Sequence, residues 1–295
     1  MCARGLISRA DYVRGADGYA GEQCSPLHYY TRRYHRKDYT MSNIRIIISG
    51  CCGHMGRTVA NMVVADATAE IVAGFDIAAD LSLGFPVFRD PVDFTGEADV
   101  IIDFSNPAAL DALLGFAVYK KLPLVLCTTG YTPVQLAKIR DVSREIPVFR
   151  SGNMSLGINL LLELIKRATK VLGDGFDIEI VERHHRRKVD SPSGTALMLA
   201  DAAASVKAPT PEYVYDRHPR SMPRPQNEIG ISAVRGGSIV GDHTVIFAGT
   251  DEVIELRHSA YSRDVFAVGA VNAAKFMATV KTPGMYDMSD VLASK

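Results

Sequence analysis

Two histidines, a lysine and a small-residue helix start fall within twelve positions of this chain: His184, His185, Lys188 and Ser193-Gly194-Thr195. Each brings a different tool. Histidine changes charge near neutral pH and so can give or take a proton. Lysine is a compact point charge for an anion. Ser193 is suited to cap a helix, which leaves the Gly194 and Thr195 N–H groups at the first turn, where a carboxylate can be held. The same residues also read as a nucleic-acid or nuclear-localisation patch at His184-His185-Arg186-Arg187-Lys188, or as a solvated basic loop. Against these, adjacent histidines are rare in basic patches, and Glu179, Glu182 and Asp190 bracket the run. No metal site is expected of the histidine pair, because neighbouring ring nitrogens seldom converge on one ion and no third ligand stands at a suitable spacing.

The elements that position this stretch begin at Ile44. Ile44 to Ser49 is a short β-branched run of the kind a buried parallel strand needs. It runs into Gly50-Cys51-Cys52-Gly53-His54-Met55-Gly56 and then a helical pattern to Val64. Strand, glycine turn and helix are the context in which such glycines mean a dinucleotide site. Gly50 allows the tight turn, Gly53 keeps the helix start open to a pyrophosphate, and Gly56 permits close packing of helix on strand. The spacing is GxxGxxG, with Cys52 where the usual fingerprint has its middle glycine. The second strand, Glu70 to Phe75, ends in Asp76, 20 residues after Gly56, where an acid can accept hydrogen bonds from ribose hydroxyls. Ile77 follows instead of Arg or Lys, which leans the cofactor towards NADH over NADPH.

The alternation continues. Ala98–Asp103, Leu122–Leu126 and Pro147–Arg150 read as strands, and Pro107–Val118 and Pro133–Arg144 as helices with proline in the first turn. Thr132 is placed to cap the second of these helices. Ligands of open α/β sheets bind at strand carboxyl ends, so Thr128 and Thr129 are placed to face a nicotinamide. Cys127 beside them reads as a small residue of the loop, with a thioester-forming nucleophile as the rival reading. A long helix follows from Ser155 to Leu172, stopped by Gly173, with an apolar stripe that includes Leu156, Leu160, Leu164, Val171 and neighbouring Ile and Leu residues.

The bulk numbers agree with a globular α/β protein. The chain has 295 residues, room for two domains, with 47% hydrophobic and 22% charged residues. Zero net charge gives no basic field for nucleic acid. No apolar run approaches the ~18 residues of a membrane span. The five cysteines, Cys2, Cys24, Cys51, Cys52 and Cys127, show no CxxC spacing and read as reduced thiols of a cytoplasmic protein. Residues 1–42 share no periodicity with the rest and read as a disordered extension or a misplaced start, with Met41 as the expected beginning of the working chain.

The pattern Glu179-Ile-x-Glu182-x-His184-x-x-x-Lys188-x-Asp190-x-Pro192-Ser193-Gly194-Thr195-Ala196 resembles, at every fixed position, the fingerprint of the bacterial 4-hydroxy-tetrahydrodipicolinate reductase (dihydrodipicolinate reductase) family. The resemblance runs from about Asn43 to the C-terminus and includes the glycine loop, Thr128-Thr129-Gly130, Arg235-Gly-Gly and Gly241-Asp-His-Thr. It implies NADH- or NADPH-dependent reduction of a cyclic unsaturated dicarboxylate on the route to diaminopimelate and lysine. By that resemblance His184 is the general acid and Lys188 its cationic partner, while His185, Ser193, Gly194 and Thr195 hold a substrate carboxylate. Cofactor contacts would fall on Gly50, Cys51, Cys52, Gly53, His54 and Met55, on Asp76, on Cys127, Thr128 and Thr129, and on Ser151, Gly152, Asn153 and Met154. Cys127 departs from a glycine usual in the family.

The architecture so implied is a Rossmann-type dinucleotide-binding domain of residues 43–154 and 264–295. A substrate-binding and tetramerisation domain of residues 155–263 would carry a mixed, largely antiparallel sheet. Ile229–Val234, Ser238–Val240, His243–Phe247 and Val253–His258 read as its antiparallel strands, after an irregular, proline-rich connection from Lys207 to Asn227. His243 and His258 read as structural. Phe266–Met277 is a small-residue helix, and the family assembles as a homotetramer. Two other functions fit parts of the sequence: an NAD(H)-binding regulator without catalysis, and a semialdehyde or homoserine dehydrogenase using Cys127 or another base.

Overall fold

The computed structural model describes residues 43–78 and 81–295. The expected extension and the Met41 start lie outside the described residues. β1 (Ile44–Ser49) stands near the centre of a seven-stranded sheet. Around it lie β2 (Ala69–Phe75), β3 (Val87–Phe88), β4 (Val100–Asp103), β5 (Leu124–Leu126), β6 (Pro147–Arg150) and, from the far end of the chain, β12 (Gly284–Tyr286). The strand order is β12-β6-β5-β4-β1-β2-β3, with every pairing parallel. The order reverses between β1 and β4, the crevice at which open α/β sheets take ligands.

Alternation along β1 supplies both layers of core. Ile46 and Ile48 pack with α1 (His54–Val64) and α6 (Asp264–Thr279) through Val59, Val63, Ala270 and Ala274. Ile47 packs on the other face with α2 (Leu110–Lys120) and α3 (Pro133–Val142) through Leu110, Leu113, Phe116 and Ile139. Small residues let α6 approach closely: a Cβ on Gly269 would lie 1.6 Å from the Met154 carbonyl oxygen. The C-terminal segment therefore belongs to the first sheet. Thr132 caps α3 in a reciprocal capping box with Gln135, as the Thr-Pro start implies.

α4 (Leu156–Leu172), capped by Ser155 and stopped by Gly173 at φ 62°, leads to a second sheet. Its strands are β7 (Asp177–His184), β8 (Glu212–Val214), β9 (Glu228–Arg235), β10 (Gly241–Ala248) and β11 (Val253–Ala260), in the order β11-β10-β7-β9-β8. α4 and α5 (Gly194–Ala204) cover one face through Leu161, Ile165, Leu199 and Ala203.

Four details differ from the sequence reading. The sheet is mixed, but β10 pairs antiparallel with β7 and β11 while β9 pairs parallel with β7 and β8, so parallel pairings are as many as antiparallel ones. Ser238–Val240 is a turn and loop, because the two glycines before it end β9. The proline-rich connection contains β8, and Arg217, Arg220 and Arg224 tie it to Glu179 and Glu228, while Arg220 also pairs with Glu212 of β8. Finally, α4 buries Ile158, Leu161 and Ile165, while Leu160, Leu164 and Val171 are exposed. That helix is apolar on more than one side, so the residues that headed the expected stripe are exposed while neighbouring Ile and Leu residues are the buried ones.

Candidate active site

The glycine turn leaves β1 with Gly50 at φ +75°, a conformation that L side chains rarely adopt. A Cβ on Gly56 would lie 2.1 Å from the Gly50 carbonyl oxygen, so the turn and α1 are pressed together without room for a methyl group. No side chain caps α1 and no acid stands in its first turn, which leaves its N-terminus suited to an anion. Asp76 closes the turn from β2: it accepts the Cys52 N–H at 2.9 Å and the Ala78 N–H at 3.0 Å. These features fit a dinucleotide.

Two cavities flank the turn. The first, about 590 Å³, is lined by Gly50, Cys52, Gly53 and Asp76 among others, with Arg89 on its wall. The second, about 540 Å³, takes Gly53, His54 and Met55, all of Cys127–Thr129 and all of Ser151–Met154. Sequence reasoning therefore placed its cofactor residues on two adjoining cavity walls, apart from Cys51, which is 0% exposed. Burial pushes the Cys127 thiol well above its ordinary range, helped by the charge of Asp103. A thiol held protonated is a poor nucleophile, which counts against the semialdehyde-dehydrogenase reading.

A third cavity, about 400 Å³, is lined by His185, Arg187, His54 and Arg263, and it shares the last two with the second cavity. His185 Nδ1 is buried without a hydrogen-bond partner. Burial lowers the His185 pKa, with Arg187 and Arg263 adding to the effect. Arg187 and Arg263 bring positive charge to this wall, and Asp264 stands on it as well. Asn153 joins the two sides, donating from Nδ2 to Thr195 Oγ1 at 3.0 Å, so the end of one cofactor loop is fastened to the start of α5.

Behind that start lies a polar network that the sequence did not announce. Along β7 burial alternates, and Glu182 and His184 share the inward parity of Ile178 and Ile180. Glu182, 0% exposed, accepts from both terminal nitrogens of Arg235 at 2.7 Å and from the Ser193 N–H at 3.0 Å. Its other neighbour is His184 Nδ1, 2.6 Å away. Burial alone would push the Glu182 carboxyl up; Arg235, His184 and the Ser193 N–H outweigh it and hold the group below the usual range. A carboxylate facing Nδ1 makes that nitrogen the donor and leaves Nε2 as the nitrogen available for proton transfer. Gly241 leaves space there, since a Cβ would approach Nε2 to 3.0 Å.

His184 itself is 7% exposed and lies on none of these cavity walls, nor does Lys188, which pairs with Asp190 at 2.9 Å. Ser193 is 2% exposed; its hydroxyl accepts the Ala196 N–H at 3.1 Å as the helix cap and meets His243 Nε2 at 3.0 Å. What Ser193 presents outward is therefore the helix start rather than its own side chain.

The chain matches the sequence profile of dihydrodipicolinate reductase, N-terminus, over residues 44–154 and that of dihydrodipicolinate reductase, C-terminus, over residues 157–292. It belongs to the dihydrodipicolinate reductase family. It is 52% identical over 249 residues to the 4-hydroxy-tetrahydrodipicolinate reductase of Caldanaerobacter subterraneus subsp. tengcongensis, covering 84% of this chain and 98% of that protein. To the protein of the same name from Clostridium tetani it is 50% identical over 251 residues, covering 85% and 98%. Among solved structures, the dipicolinate-bound dihydrodipicolinate reductase from Paenisporosarcina sp. TG-14 aligns with a TM-score of 0.69 at 24% identity, over 83% of this chain and 97% of that one. At that identity the likeness shows the fold.

Family membership accounts for the fingerprint around His184, but four side chains of the site escaped sequence reasoning. Glu182 was legible from its even-numbered parity in β7, although the run of charges nearby made it look like a solvated acid. Arg235 stood in a stretch already matched to the family. Arg89 and Arg263 had no local signal, because each reaches its cavity only when distant segments meet.

Proposed function

We propose that this chain reduces 4-hydroxy-tetrahydrodipicolinate to tetrahydrodipicolinate with NADH or NADPH, on the route to diaminopimelate and lysine. The observation that carries the reading is the Asn153–Thr195 hydrogen bond. It sets the cofactor loop against the helix start suited to a substrate carboxylate. When bound, the reduced cofactor supplies a hydride at the second cavity.

The chain's own residues do the rest. His184 gives a proton from Nε2 to the reduced skeleton, with its charge compensated at Nδ1 by Glu182. Lys188 and His185 stand on either side of the turn from β7 to α5 and take the dianionic substrate together with the Gly194 and Thr195 N–H groups. Lys188 exchanges its Asp190 contact for a substrate carboxylate. The glycine loop with Cys51 and Cys52, the adjacent His54 and Met55, Cys127–Thr129 and Ser151–Met154 hold the cofactor, and Asp76 takes its ribose. Residues 43–154 and 264–295 form the cofactor domain, and 155–263 the substrate domain.

Asp76 favours NADH, while the nearby Arg89 gives a 2′-phosphate a cation, so we infer that both cofactors are accepted, with NADH preferred. A homotetramer is supported by the apolar side chains of Val234, Val253 and Ile254, exposed on the second sheet. That Cys51, Cys52 and Cys127 stand outside any disulfide supports a cytoplasmic setting. No helix of the described residues is long and apolar enough to cross a membrane.

The deciding experiment is oxidation of NADH, followed by absorbance, on adding freshly made product of dihydrodipicolinate synthase. The expected result is stoichiometric oxidation. Failure with both NADH and NADPH would defeat the proposal.

A further inference from the structure

The reductase reading leaves the two cysteine sulfurs of the glycine turn without a task. The Sγ atoms of Cys51 and Cys52 lie 3.9 Å apart. With a carboxylate oxygen of Asp76 they form a group of three metal-ligating side chains whose atoms all lie within 4.8 Å of one another. Two thiolates on a tetrahedral zinc, each at about 2.3 Å, stand about 3.8 Å apart. The sulfurs therefore already have the span that such an ion needs.

The surrounding fold holds each ligand in place. Cys51 Sγ is packed beneath Gly74, where a Cβ would lie 2.5 Å from it. Cys52 Sγ is directed to the Ala78 carbonyl oxygen at 3.0 Å. Asp76 is drawn in by the Cys52 N–H, so the contact that shapes the turn also fixes the third ligand. Cys52 and Asp76 both face the first cavity, which gives an ion its entry and a water its fourth position.

We propose that Cys51, Cys52 and Asp76 form a site for a thiophilic divalent cation, zinc or cadmium, and that its occupation excludes the dinucleotide. Thiolates select such ions over magnesium or calcium, which prefer oxygen. Binding exchanges protons for metal: the cation joins two sulfurs and a carboxylate, two thiol protons pass to solvent, and nothing is oxidised. Because protons and metal compete for the same sulfurs, capture strengthens as pH rises. The metal site stands independently of the cofactor reading; the exclusion rests on it, because the same Asp76 carboxylate would serve the ribose.

The test is cadmium titration of the full chain after treatment with a chelator, read by the ultraviolet cadmium–thiolate charge-transfer band. The band should saturate at one equivalent, persist in Cys127→Ser, and be lost in both Cys51→Ser and Cys52→Ser. Saturating NADH should suppress it. In turn, cadmium at about ten times its own Kd should weaken NADH binding about tenfold, as mutually exclusive ligands do. A band that survives both cysteine substitutions, or no band, overturns the site. Simultaneous binding of cadmium and NADH overturns the exclusion. A chain that takes cadmium but no dinucleotide at all would refute the cofactor reading while leaving the metal site supported.

Discussion

Asn153 Nδ2 donates to Thr195 Oγ1 at 3.0 Å, across 42 positions of sequence. Asn153 is itself pinned: its Oδ1 accepts the Ser155 N–H at 2.8 Å, and its carbonyl accepts from Asn159 at 2.7 Å. The hydrogen bond thus registers two loops that carry different halves of the site. Thr195→Val removes it while keeping size and the backbone N–H. That variant should lose about tenfold in kcat/KM, the scale of one net hydrogen bond. Asn153→Ala added to Thr195→Val should cost little beyond Asn153→Ala alone. Additive losses in this double-mutant cycle would show that the contact couples nothing.

The pairing of Glu182 with His184 makes a second prediction. His184→Gln should lower kcat about 10²-fold, the scale of general acid catalysis, with NADH affinity nearly unchanged. Glu182→Gln should impair kcat as well, because the ring loses its fixed orientation. It should also destabilise the fold by about 3 kcal/mol, since Arg235 is left with an unanswered charge. Near-normal turnover in His184→Gln would remove that residue from the mechanism. Normal kcat in a destabilised Glu182→Gln would make the carboxylate purely structural.

How much of this was legible depended on how local the cause is. The Gly50–Gly56 turn and the caps at Thr132, Ser155 and Ser193 were readable because a few neighbouring residues determine them. Glu182 is an intermediate case: its parity in β7 declares it inward, but its charge suggests the reverse, and only Arg235, 53 positions away, resolves the conflict. The buried side of α4 was not separable in the sequence because Leu160 and Leu164 are as apolar as Leu161 and Ile165; which side is covered is set by the sheet beneath. Arg89 and Arg263 were invisible for the same reason. Their role lies in where the fold brings them.

Acid should unfold this protein through His243 before the carboxylates respond. Burial, then the neighbouring His184, lowers the His243 pKa to about 4, with His258 adding to the effect and Glu182 and Asp242 opposing it. The unfolded chain, near 6.5, binds a proton that the folded one refuses, so stability falls as pH drops from about 6.5 towards 4. The single group accounts for on the order of 3 kcal/mol over that window. His258, also lowered by burial, acts in the same direction. Below the ordinary carboxylate range the depressed Glu182 adds a further loss. Thermal denaturation of His243→Asn across this window should show a shallower slope than the parent. An identical slope would mean that His243 does not titrate on unfolding.

Arg89 decides the last prediction. It leaves the end of β3 beside the cavity whose wall includes Asp76, and it is exposed. An acid at the end of the second strand accepts ribose hydroxyls and repels a 2′-phosphate, whereas a nearby arginine accommodates one. The two side chains therefore pull the cofactor choice in opposite directions from one cavity. Arg89→Gln should raise KM for NADPH about tenfold, the loss expected when one charge-assisted contact worth about 1.5 kcal/mol is removed, and should leave KM for NADH within a factor of about two. Because the arginine contact is exposed, raising the salt concentration should narrow the difference between parent and variant with NADPH. Equal rises of KM for the two cofactors would show that Arg89 serves the shared part of the dinucleotide, and Asp76 alone would then set the preference.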